Sequence, residues 1–141
     1  MSAIRLQQLL AIAVTIAMTI AALGSAHAQT PPFTYLFDLL KQPTFHQSFD
    51  RLFEGQMNVD GWIREFEKTR NGVASPIEQR SIGQTAYVLA EVCKPHDCPN
   101  SVLRVLFSKD GTQASAVLIT PKDKRWFGSP DVAEKQQLLK Q

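Results

Sequence analysis

Residues 77–120 read IEQRSIGQTAYVLAEVCKPHDCPNSVLRVLFSKDGTQASAVLIT, and the period of this stretch decides the fold. From Pro76 onward apolar residues recur at alternate positions, the spacing that sends successive side chains to opposite faces of a strand. Residues 77–82 make a first expected strand, Gly83-Gln84 a tight turn, and 85–93 a second strand. One face of that second strand carries Ala86, Val88, Ala90 and Val92; the other carries Tyr87, Leu89, Glu91 and Cys93. Residues 101–108 are a third strand. Lys109-Asp110-Gly111 makes the next turn, because Asp-Gly accepts positive φ cheaply. Residues 113–120 are a fourth strand, and 125–127 add a short fifth. Strands of this length joined by short turns describe an antiparallel meander.

On both sides of this stretch the period lengthens. Tyr35, Leu36, Phe37, Leu39 and Leu40 indicate a short helix that ends before Pro43. Pro43 suits the first turn of a second helix, in which Phe45, Phe49, Leu52 and Phe53 recur at helical spacing until Gly55 stops it. His46 lies beside that stripe and reads as a helix-surface histidine. Residues 56–71 hold Trp62, Ile63 and Phe66, either as a helical turn or as a loop plugging the core; in both cases the aromatics read as core. Downstream, Ser129 as N-cap with Pro130 at the first helical position starts a last helix, with Val132, Leu138 and Leu139 on its apolar face. The expected class is α+β, an antiparallel meander sheet of about five strands flanked by helices at the N- and C-terminal ends.

The first 28 residues have the plan of an export signal. Arg5 supplies a positive start, residues 9–23 are almost wholly apolar, and Ala26-His27-Ala28 has the small-x-small pattern that signal peptidase reads. The apolar run is shorter than the ~20 residues of a spanning helix. Cleavage after Ala28 leaves a single domain over 29–141 in the periplasm. Arg5 is the one acidic or basic side chain in the signal, so 14 basic residues face 13 acidic ones in the remainder, a net charge of about +1. That balance is neither a nucleic-acid binder's nor a strongly acidic decoy's. There are no paired carboxylates at motif spacing, no G-x-S-x-G and no histidine-rich metal signature, so neither an enzyme nor a bound cofactor or metal is expected.

Two cysteines, Cys93 and Cys98, enclose Lys94-Pro95-His96-Asp97 between the second and third strands. In an oxidising compartment such a pair reads as a disulfide, with the two cysteines facing each other at the mouth of the hairpin. Pro95 removes further freedom just before His96. The same spacing suits a plain structural staple with an incidentally exposed histidine. A thioredoxin-like site fails on spacing and on strand context, and a metal site would need reduced thiols and four ligands from one short loop.

Cys93-Lys94-Pro95-His96-Asp97-Cys98 resembles, letter for letter, the hallmark loop of the inhibitor of vertebrate lysozyme (Ivy) family. The order of elements from Tyr35 to Leu139 is similar too. The resemblance implies a meander sheet flanked by helices, with a loop that enters the active-site cleft of C-type lysozymes. It implies that His96 is the blocking residue that reaches the catalytic carboxylates, that Lys94 and Asp97 are flanking contacts, and that Cys93–Cys98 is the brace. The family includes dimers, so a homodimer is a further partner to test. C-type lysozymes are basic, and a near-neutral chain is steered only weakly toward them. The alternative targets are therefore lytic transglycosylases of the cell itself, or the chain is a paralogue with weak lysozyme affinity.

Overall fold

The computed structural model describes residues 35–141. The expected export signal and its cleavage point after Ala28 lie outside the described residues. Five strands, β1 Val73–Ile82, β2 Thr85–Cys93, β3 Val102–Ser108, β4 Ala114–Ile119 and β5 Lys124–Phe127, pair antiparallel in chain order. Three helices precede the sheet, α1 Leu36–Leu39, α2 Pro43–Arg51 and α3 Gly61–Thr69, and α4 Val132–Leu139 follows it. The expected α+β meander with flanking helices is the observed architecture.

Period two within the strands sorts the sheet into two buried faces. Val88, Ala90 and Val92 of β2 join Leu103, Val105, Phe107, Ala116, Leu118 and Phe127 beneath α1, α2 and α3. Phe49 stacks edge-on against Phe53 and Phe66, and Phe45 packs on Phe107 with ring centroids 5.2 Å apart. The opposite face, with Leu89, Leu106 and Val117, is covered by α4 through Leu138. Gly111 closes the β3–β4 turn at φ +73, and a Cβ there would stand 2.4 Å from the Phe45 ring, so that turn needs glycine on both counts.

Three expected elements differ in detail. Residues 56–71 contain a true helix, α3, with Ile63 and Phe66 fully buried. Its N-cap residue Asp60 makes no side-chain cap bond, because its carboxylate is taken by Arg125. The first strand begins at Val73, ahead of Pro76. The register passes from Ser75↔Glu91 to Glu78↔Leu89, so Pro76 sits in a bulge on an edge strand, where the missing N–H costs no ladder bond. The last helix is capped by Asp131 rather than Ser129. Asp131 Oδ1 accepts the Glu134 N–H at 2.8 Å and Glu134 Oε2 accepts the Asp131 N–H at 3.0 Å, a reciprocal box that Ser129 cannot form.

Candidate functional site

The β2–β3 ladder closes at Cys93↔Val102, and the Lys94 N–H then donates to the Ser101 carbonyl at 2.9 Å. Everything between is loop. Cys93 and Cys98 form the disulfide with Cα atoms 4.8 Å apart, but they do not face each other across the hairpin as expected. Cys93 is the last residue of β2 and its partner across the ladder is Val102, whereas Cys98 belongs to the connection. The disulfide therefore ties the loop back onto the end of its own strand. The constrained ring is the hexapeptide itself.

Within that ring Lys94-Pro95-His96-Asp97 is a β-turn, with the Asp97 N–H donating to the Lys94 carbonyl at 3.0 Å. Pro95 holds the second position, and His96 holds the third with φ +65. Proline followed by a left-handed residue is the pattern of a type II turn, whose third position usually takes glycine. His96 and Arg70 are the non-glycine residues at positive φ among the described residues. Such a conformation costs an L-residue roughly 1–2 kcal/mol, so it persists only where the surroundings impose it. Here Pro95, the turn bond and the disulfide impose it. Pro95 and His96 are exposed, and the imidazole has no side-chain partner among the described residues.

The rest of the loop is occupied in holding that turn. Asp97 accepts from Asn100 Nδ2 at 2.9 Å and from Lys94 Nζ at 3.3 Å, and these bonds, Asn100 first, hold its carboxyl below the usual range. The Asp97 carbonyl accepts the N–H groups of Asn100 and Ser101, both at 3.1 Å, which makes a second turn. Under the loop, Glu91 pairs with Arg104 at 2.7 Å and accepts from the Ser75 hydroxyl at 3.0 Å. Arg104 also donates to the Leu138 carbonyl at 3.3 Å, so one guanidinium links β2 and β3 to the end of α4.

All six residues singled out in the sequence thus lie in one disulfide-closed ring, with Pro95 and His96 exposed at its tip. Asn100 is a further member of the loop, and an Asn shortly after an Asp is the turn signal that marks it in the sequence. Ser75 and Arg104 carry no such signal; only the strand register brings them to Glu91. His46 stands apart on α2, with its Nε2 3.1 Å from Asp50 and 2.6 Å from Arg70 Nη2. Among the described residues no group of three or more His, Cys, Asp or Glu side chains is placed to hold a metal ion.

No protein-family model matches the chain. Individual relatives do. A protein of Pseudomonas aeruginosa named inhibitor of vertebrate lysozyme is 32% identical, with 90% of each chain covered. One of Escherichia coli K12 with the same name is 26% identical over 61% of this chain and 51% of its own length. An uncharacterised protein of Yersinia pestis is 29% identical over 74% of this chain and 71% of its own. With the meander, the disulfide and this similarity across nearly its whole length, the chain belongs to the inhibitor of vertebrate lysozyme family.

Proposed function

We propose that the protein is a periplasmic inhibitor of C-type lysozyme that occludes the catalytic cleft with the His96 turn and performs no chemistry of its own. The observation that carries this reading is the state of His96: exposed, without a side-chain partner among the described residues, and held at positive φ by a braced turn. A side chain that stabilises nothing in its own fold, on backbone that costs energy to hold, is arranged for a partner. The naming of its relatives as inhibitors rather than enzymes supports the same role.

The target chemistry suits an imidazole. A retaining glycosidase sets two carboxyl groups ~5 Å apart, one protonated and one ionised. A neutral imidazole between them accepts a hydrogen bond from the acid at one nitrogen and donates from the other to the carboxylate. Imidazolium between two carboxylates is another microstate with the same proton count. Because the turn is already formed, docking it freezes little further freedom.

The test is titration of lysozyme activity with the parent protein and with His96→Ala. Truncation leaves buried carboxylates without their partner, so affinity is expected to fall by about 2–5 kcal/mol, or roughly 30-fold to several thousand-fold. An unchanged inhibition constant sinks the mechanism. The near-neutral charge balance favours a second reading, in which the target is a lytic transglycosylase of the cell. Tight binding to that enzyme, with none to a C-type lysozyme at physiological salt, would establish it instead.

A further inference from the structure

The hexapeptide ring is too small to make an inhibitory complex by itself. Specific, stable protein interfaces take about 20–30 residues and ~800 Å² from each partner, a disc of roughly 16 Å radius. The ring supplies six residues, of which Pro95 and His96 are exposed. An inhibitor built on it also needs the surface around the root of the ring. The large apolar side chains exposed among the described residues are Tyr35, Met57, Val73, Val132 and Leu139. Of these, Val73 alone is the ladder partner of a ring residue, Cys93. Ladder partners stand ~5 Å apart, and three peptide steps from Cys93 to His96 add at most ~11 Å, so Val73 lies within such a disc around His96.

The backbone that carries Val73 is held from both sides. The residue opens β1, is 54% exposed, and shares a face of the sheet with Cys93. A Cβ on Gly72 would come within 3.1 Å of both Phe66 and Val92, so the chain enters β1 pressed against the core. Three residues before Val73, Arg70 takes φ 56 as it closes α3 and gives its N–H to the Phe66 carbonyl at 2.9 Å. Arg70 and His96, the non-glycine residues at positive φ among the described residues, thus flank the Val73↔Cys93 pair, each three residues away along its own segment. Strained backbone gathers where function needs a fixed geometry. Valine adds a stiff, β-branched side chain that gives up little freedom on docking. We propose that Val73 is a second contact to the lysozyme, an apolar side chain that packs on the rim of the cleft when the His96 turn enters it. This proposal rests on the inhibitory reading of that turn and adds a residue to the same interface.

The test is methyl cross-saturation in the complex of the methyl-labelled protein with a C-type lysozyme, beside affinities measured at physiological salt. Saturation passing from the lysozyme to the Val73 methyls, but not to those of the exposed Val132 at the start of α4, is expected. Val73→Thr keeps the shape but buries a hydroxyl against an apolar rim, so it should weaken binding by about tenfold. Val132→Thr, the same change away from the ring, should leave affinity as it was. Unchanged melting temperatures show that both variants are folded. If Val73→Thr fails to fold, the methyl experiment on the parent protein decides alone. Unsaturated Val73 methyls in a complex that His96→Ala weakens, or undiminished affinity of folded Val73→Thr for a lysozyme that needs His96, overturns the Val73 contact and leaves the loop reading standing. A complex that His96→Ala does not weaken, or no complex at all, overturns both.

Discussion

At its Cys93 end, strand β2 runs into a turn with an exposed tip, whose imidazole has no side-chain partner among the described residues, whereas near its other end Tyr87 borders a cavity beside the buried Ser115, whose hydroxyl likewise has none among them. The projecting end is built from one continuous hexapeptide, held by proline, a turn bond and a disulfide. The hollow end is built from α2, three strands and α4, which meet only when the fold is complete. Local covalent bracing suits a group that must enter another protein's cleft. Walls from several elements make the other end depend on the whole fold rather than on one segment.

The largest expected effect falls on the tip. His96→Gly keeps positive φ at no steric cost, so it should lose the same roughly 2–5 kcal/mol of lysozyme binding as His96→Ala while the melting temperature hardly moves. If glycine restores inhibition, the turn rather than the imidazole is the active feature. Next comes the brace. Removing the six-residue ring by Cys93→Ser with Cys98→Ser should cost about 2 kcal/mol of stability in the chain-entropy model, read by urea titration. Amides around Ser115 should stay in place, and their movement would show that the two ends are not separate.

A smaller effect is expected beneath the loop. Arg104→Met removes the Glu91 pair and the bond to Leu138, at about 1 kcal/mol, and should speed hydrogen exchange in the last turn of α4. The smallest is a pH response confined to the loop. The Asp97 carboxyl lies below its ordinary value of 3.8, so the stability it contributes is complete above that value and is lost as pH falls through the lower, folded one. Asn100 and Lys94 resonances should report this loosening below about pH 4, and Asp97→Asn should abolish it.

These contrasts also mark what could be read from the residues alone. The bounds expected for β2 match the observed Thr85–Cys93, because Gly83-Gln84 punctuates its start and the hexapeptide its end. The hexapeptide was legible because all its parts are adjacent in the chain. The start of β1 was hidden by Pro76, which reads as a breaker until a bulge and an edge position make room for it. Helix α3 was ambiguous because Asp60, its natural cap, bonds instead to Arg125, far along the chain. The cysteine geometry departs from the expected cross-strand pair for a related reason: Cys93 faces Val102 in the ladder, while Cys98 reaches back from the connection. The cavity left no local signal, since Arg51, Ser115 and Glu134 meet only in space.

The meander order β1-β2-β3-β4-β5 has one more consequence, for how such a chain assembles. Each strand after the first pairs with the one just made, so the sheet needs no long-range closure and no crossover. A chain delivered from its N-terminus onward can therefore zip its sheet in the order in which it arrives. With a single pair of cysteines five residues apart, oxidation has no wrong partner within the chain to choose. The turn that presents His96 closes midway through that sequence, between the second strand and the third.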